Sequence, residues 1–188
     1  MNWEAVKSAV KMMIHPSYFG LGRQQVTIST VGIIPKIRSL HDELPGVSLA
    51  LSLHAPTQEL RSSIVPSAKA FKLEKLMDAV ADYEMSSGLK VFYEYVMLAG
   101  INDSEEVAHQ LGQLLRGRKG VLNLIPWNPT YVTGEIALTF KAPAQDSVLA
   151  FQQIVKRNYG VSCTVRQEKG QDVEAACGML VIKKQLDW

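Results

Sequence analysis

Val47-Ser48-Leu49-Ala50-Leu51-Ser52-Leu53, followed at once by His54-Ala55-Pro56, decides how this chain folds. The run is mostly apolar and does not alternate strictly. That is how a strand buried on both faces of a parallel sheet reads. A polar pair, Ser52 and His54, breaks out at its carboxyl end. Val121 to Ile125 has the same apolar character. Val26-Thr27-Ile28, Val91 to Leu98, Val161 to Arg166 and a weaker Met179 to Ile182 complete the candidate strands.

Helical patterns lie between them. An amphipathic segment from Val6 to Ile14 precedes the first strand, and Pro35 is placed to open a short helix after Gly32. Leu73, Leu76, Val80 and Tyr83 share one helical face, as do Val107, Leu111, Leu114 and Leu115. Asp103 with Glu106 has capping-box spacing for the second of these helices. Val148, Phe151 and Val155 mark another helix, which ends in Lys156 and Arg157 and is broken by Asn158 and Gly160. Alternating strands and helices predict an α/β fold with a mostly parallel sheet, formed by one domain over residues 1–188. The least regular stretch is Pro129 to Pro143, read as a long surface loop.

Composition narrows the class. The 188 residues are 47% hydrophobic and 20% charged, as in ordinary globular domains. A net charge of +2 is too small to identify a nucleic-acid partner. No apolar run approaches the roughly 20 residues of a membrane helix, so no membrane association is expected. Two cysteines and no secretory signal at the start suggest a reducing compartment: the cytoplasm, with an organelle as the alternative.

In parallel α/β sheets ligands bind beyond the carboxyl ends of the strands. Four loops there carry polar groups. Ser29-Thr30-Val31-Gly32 lets a ligand approach the backbone, or simply caps the next helix. His54 could bond a carboxylate or an adenine ring, or be a structural histidine. Leu98 to Ser104 reads as a turn and cap. Glu94 and Tyr95 lie within a central strand, where a carboxylate needs a partner, and a buried ion pair is the favoured reading. Asn123 to Pro129 holds Trp127 and Asn128 between two prolines, in a stiff loop whose amide suits an amino acid's ammonium and carboxylate. Further on, Cys177 sits between small residues in Ala175-Ala176-Cys177-Gly178, and nothing bulky beside it shields the sulfur.

Five pieces, Ser29-Thr30-Val31-Gly32, Ser52 to Pro56, Glu94 to Leu98, Asn123 to Pro129 and Ala175 to Gly178, together resemble the RNA adenosine C2 methyltransferases of the radical S-adenosylmethionine (SAM) superfamily. The resemblance covers essentially the whole chain. It implies a partial (β/α) radical-SAM-type barrel lacking its N-terminal strands. It also implies that the chain is the C-terminal portion of a longer enzyme.

In the family, one SAM methylates a cysteine. A second is cleaved at a 4Fe-4S cluster to a deoxyadenosyl radical, which takes hydrogen from the methylated cysteine. The resulting methylene radical adds to C2 of an adenine in rRNA, and in some members in tRNA. By this resemblance Cys177 is the methyl-carrying cysteine, and Ser29, Ser52, Leu53, His54 and Asn128 are SAM-contacting positions. An electron donor and RNA are the implied partners. Substrate recognition would use an extruded base and a basic surface. From Lys156 to Lys184 six basic residues stand against three acidic ones, which is compatible with phosphate contacts.

The family holds its cluster with a Cys-x3-Cys-x2-Cys triplet. Cys163 and Cys177 form no such motif, so no metal ligands are assigned and the chain alone is expected to be inactive. Met179 stands where the family usually has glutamine. Cys163 reads as a small core residue, and a Cys163–Cys177 disulfide is left open. Two alternatives remain. One is a non-catalytic RNA-binding or scaffold module derived from such an enzyme. The other is an α/β enzyme with Cys177 as acyl nucleophile, disfavoured because none of the four histidines sits in a recognised cysteine-base motif.

Overall fold

The computed structural model describes residues 2–128 and 140–166. The predicted strand Met179 to Ile182, Cys177 and most of the loop read over Pro129 to Pro143 lie outside the described residues. Five strands form one sheet: β1 Thr27–Thr30, β2 Ser48–Ser52, β3 Val91–Met97, β4 Val121–Pro126 and β5 Ser162–Val165. All neighbours are parallel and the spatial order is β1-β2-β3-β4-β5. Consecutive order is what repeated crossovers of one hand produce, and it is the order of a β/α barrel wall.

Six α-helices connect the strands: α1 Trp3–Ile14, α2 Ile34–Glu43, α3 Gln58–Ile64, α4 Leu73–Ser87, α5 Glu105–Leu115 and α6 Gln145–Tyr159. Helix α3 and the 3-10 turn at Pro66–Ala70 were not anticipated. The pairs α2/α4 and α5/α6 pack together. Their apolar stripes are those expected: Leu73, Leu76, Val80 and Tyr83 are buried on α4, and Val148, Phe151 and Val155 on α6. Pro35 lies in the first turn of α2. Helix α6 stops at Gly160, whose φ of 65° favours glycine. Among the described residues, no helix is long and apolar enough to cross a membrane.

Side-chain parity separates the two faces of the sheet. Leu49, Leu51, Val91, Tyr93, Tyr95, Met97, Leu122, Leu124 and Cys163 point into the helix layer and are buried. On the other face Ser52, Phe92, Glu94, Val96, Val121, Asn123 and Ile125 are half-buried, and Thr164 is exposed. Thus β2 is buried along most of its length, as expected, but β4 is not: it alternates. Its Val121 and Ile125 are apolar residues on a face that the described residues leave half open.

The capping box at Asp103 and Glu106 does not form. Ser104 caps α5, its hydroxyl accepting from Val107 N–H at 3.3 Å, while the Asp103 carboxylate accepts from Gly100 N–H at 2.8 Å. Cys163 is buried as read, and burial pushes its thiol up to about 12.

The α5/α6 contact is close enough to require glycine. A Cβ at Gly112 would overlap the Tyr159 ring. Gly112→Ala should therefore destabilise the fold by about 1 kcal/mol, the overlap outweighing the gain in helix propensity. In a Tyr159→Ala background the same change should stabilise by up to about 1 kcal/mol. Urea denaturation of the four chains checks this. An unchanged penalty without the ring would contradict the packing.

Candidate functional site

At the carboxyl end of β1 the Thr30 hydroxyl accepts from Gly32 N–H at 3.1 Å and from Ile33 N–H at 3.4 Å. Thr30 thus orders the turn into α2, while Ser29, one residue earlier, is exposed on the open face. At the end of β2 the chain continues through Leu53 and His54 to Thr57, whose hydroxyl caps α3 by accepting from Leu60 N–H.

Helix α3 delivers Arg61, which has 0% of its surface exposed. Its guanidinium donates to three backbone carbonyls: Leu53 from Nε at 3.0 Å, and Ser52 at 3.1 Å and Val31 at 2.5 Å from Nη2. A planar fork with five N–H donors can serve several carbonyls at once. The loops after β1 and β2 are thereby tied to one side chain.

The loop after β3 is tied by Asn102, also fully buried. Its Oδ1 accepts from Leu98 N–H at 2.7 Å, and its Nδ2 donates to the carbonyls of His54 at 2.9 Å and Val96 at 2.8 Å. His54 itself has φ 60°, the one non-glycine residue with positive φ among the described residues. Such a backbone persists only when its surroundings over-determine it. Here Asn102 holds its carbonyl and Val96 N–H donates to its ring Nδ1 at 3.1 Å. Because Nδ1 accepts, the neutral ring carries its proton on Nε2. Burial, and then the positive charge of Arg61, push its pKa down to about 4. At neutral pH His54 is therefore a fixed hydrogen-bond donor, not a cation.

After β4, Trp127 N–H donates to Met97 O at 3.0 Å and the Trp127 ring meets Phe140 edge-on, with centroids 5.6 Å apart. These contacts hold half-buried Asn128 at the same end of the sheet as Ser52 and His54. Ser29, Ser52, His54 and Asn128 thus share the carboxyl rim. The Leu53 side chain does not: it is fully buried in the core, its N–H donates to Glu94 O and its carbonyl accepts from Arg61. The predicted Cys177 lies outside the described residues.

Glu94 departs from the expected ion pair. Its partner among the described residues is a neutral amide, Asn123 Nδ2 at 2.8 Å. Arg61 and Asn102 were missed in the sequence. Arg61 reads as the polar face of a short surface helix, and Asn102 as part of a turn. Among the described residues no group of three or more His, Cys, Asp or Glu could hold a metal ion.

Two outcomes follow. Arg61→Met leaves three carbonyls without their donor and should lower the unfolding free energy by about 3 kcal/mol, read by urea denaturation. A loss under about 1 kcal/mol would mean the guanidinium does not hold the loops. For His54, a folded pKa near 4 lies below the ordinary value of 6.5, so the unfolded chain binds the extra proton between them. Its contribution is complete above pH 6.5 and is lost as pH falls toward 4. His54→Gln should flatten that part of the stability–pH curve. Equal slopes in both chains would contradict a neutral, buried ring.

Comparison with known proteins extends this geometry. No family model matches the chain. It is 44% identical over 179 residues to "Ribosomal RNA large subunit methyltransferase N" of Nitrosopumilus maritimus, covering 95% of this chain and 49% of that protein. It is 40% identical over 186 residues to "Probable dual-specificity RNA methyltransferase RlmN" of Thermotoga neapolitana, covering 99% and 52%. The crystal structure of a radical SAM methyltransferase from Sphaerobacter thermophilus superposes with a TM-score of 0.87 at 38% identity, covering 95% of this chain and 50% of that one. The chain spans about half the length of the curated relatives it matches. Over that span, the chain belongs to the radical SAM methyltransferase family whose curated members are named as RNA methyltransferases.

Proposed function

We propose that this chain carries the nucleoside-holding rim of a radical SAM enzyme that methylates C2 of an adenosine in 23S-type rRNA, and in tRNA as a second substrate, through methylated Cys177. The observation that carries the reading is the convergence of Ser29, Ser52, His54 and Asn128 at one rim of a parallel sheet. The names of relatives 40–44% identical to the chain point the same way.

The residue types fit SAM. The Nε2–H of His54 is a fixed donor for an adenine nitrogen or a carboxylate. The Ser29 and Ser52 hydroxyls give and accept, and the Asn128 amide does both at separate atoms. Leu53 offers a ligand only the remaining lone pair of its carbonyl. SAM supplies the methyl group and, at a reducing 4Fe-4S cluster fed by an electron donor, the radical chemistry. The cluster does not fit this chain's own thiols. The sequence has two cysteines, and Cys163 is buried with its thiol pushed up to about 12. Cluster ligands belong to the rest of a longer protein, and the isolated chain is inactive in this reading. The setting is cytoplasmic.

The test uses the chain restored to the length of its relatives and reconstituted anaerobically. Methyl transfer to an rRNA fragment should give 2-methyladenosine, and Cys177→Ala should abolish it. Full activity of that variant would remove the sulfur from the reaction. RNA binding that weakens with salt, together with no SAM binding in the restored protein, would favour a non-catalytic RNA-binding module instead.

A further inference from the structure

One row of polar side chains crosses the open face of the sheet. The register sets Ser52 beside Glu94, Glu94 beside Asn123 and Asn123 beside Thr164. Hydrogen bonds run along it in one direction. The Thr164 hydroxyl donates to Asn123 Oδ1 at 2.6 Å, and Asn123 Nδ2 donates to Glu94 Oε1 at 2.8 Å. The first bond fixes the amide's orientation, and the second fixes the carboxylate's.

The relay ends on a negative charge. Among the described residues, ion pairs involve Glu4, Glu43, Asp78, Asp82 and Glu84, but not Glu94. A carboxylate accepts about four hydrogen bonds, and one amide leaves most of that capacity unused. Leaving it so in a half-buried position is costly unless donors arrive. The second oxygen of Glu94 is not sealed in the core: the one buried, unpartnered side-chain polar atom among the described residues is His41 Nδ1. Oε2 therefore opens onto the face that carries Ser52.

We propose that Glu94 accepts hydrogen bonds from the vicinal 2′,3′-hydroxyls of a nucleoside bound on this face as a small molecule, a reading that rests on the rim being a nucleoside site. The neighbours select a diol over an ammonium. Ser52, Asn123 and Thr164 are neutral hydroxyls and an amide, and no second carboxylate stands in the row to share a cation. Two adjacent O–H donors match an acceptor-only carboxylate. An adenosine inside an RNA strand has its 3′ oxygen esterified and presents one hydroxyl, so the paired diol identifies the free ligand, SAM or its product, as the occupant.

The experiment is calorimetry of the chain with S-adenosylhomocysteine and with its 2′,3′-dideoxy analogue, for the native sequence and for Glu94→Gln. The native chain should prefer the diol by roughly tenfold to a hundredfold, the range of hydrogen bonds to a charged acceptor. Glu94→Gln should lose most of that preference while binding the dideoxy analogue as before. Thr164→Val, which keeps the carboxylate but frees the amide, should lose part of it. If Glu94→Gln weakens both ligands equally, the residue is structural and the proposal fails. If it keeps the full diol preference, the rim still holds a nucleoside but Glu94 is not its ribose acceptor. If S-adenosylhomocysteine binds neither chain at millimolar concentration, the nucleoside reading of the rim falls, and this proposal with it.

Discussion

Everything at the carboxyl rim depends on one buried guanidinium. Arg61 holds the carbonyls of Val31, Ser52 and Leu53 together, so the loops leaving β1 and β2 cannot move independently. A buried cation without a carboxylate is tolerable because carbonyl dipoles replace its water. Those carbonyls would otherwise need water at the base of the rim. Asn102 does the same for β3 and also props His54 in its left-handed backbone. Fully buried side chains therefore set the geometry, and exposed or half-buried ones offer chemistry to a ligand.

This division explains why the face of the sheet away from the helices is polar near its carboxyl end. On the helix side, Leu51, Tyr93, Leu122 and Cys163 form a continuous buried layer. One residue further along each strand, Ser52, Glu94, Asn123 and Thr164 form the polar row. Such alternation suits a barrel wall that packs on one side and binds on the other. A neutral His54, held in one tautomer, fits the same logic: it directs a hydrogen bond without adding charge near Glu94.

The parallel sheet and its main helices were legible in the sequence, because burial on one face imposes a regular apolar period. The stripes of α4 and α6 were read residue by residue, and the strand-end loops were rightly taken as the place to look. Three readings failed for local reasons. Val121 and Ile125 made β4 look buried on both faces, because apolar type does not report which face a neighbour covers. Asp103 and Glu106 had the spacing of a cap, but the chain turns one residue later and Ser104 does that work. Glu94 was expected beside a cation, and a neutral amide from the next strand meets it instead. Arg61 was invisible because its three partners come from two other loops, and nothing within Gln58 to Ile64 records them. The candidate contacts at Ser29, Ser52, His54 and Asn128 came from resemblance, as did Leu53, whose side chain turns into the core.

The central claim is that the Cys177 sulfur faces this rim. A nitroxide attached to Cys177 in a Cys163→Ala chain tests it most directly, through line broadening of backbone amide signals. The account predicts the strongest broadening at Ser29 to Gly32, His54 and Trp127 to Asn128, at the carboxyl ends of the strands. Broadening centred instead on Val26, Val47 and Lys90, at the amino ends, would contradict it.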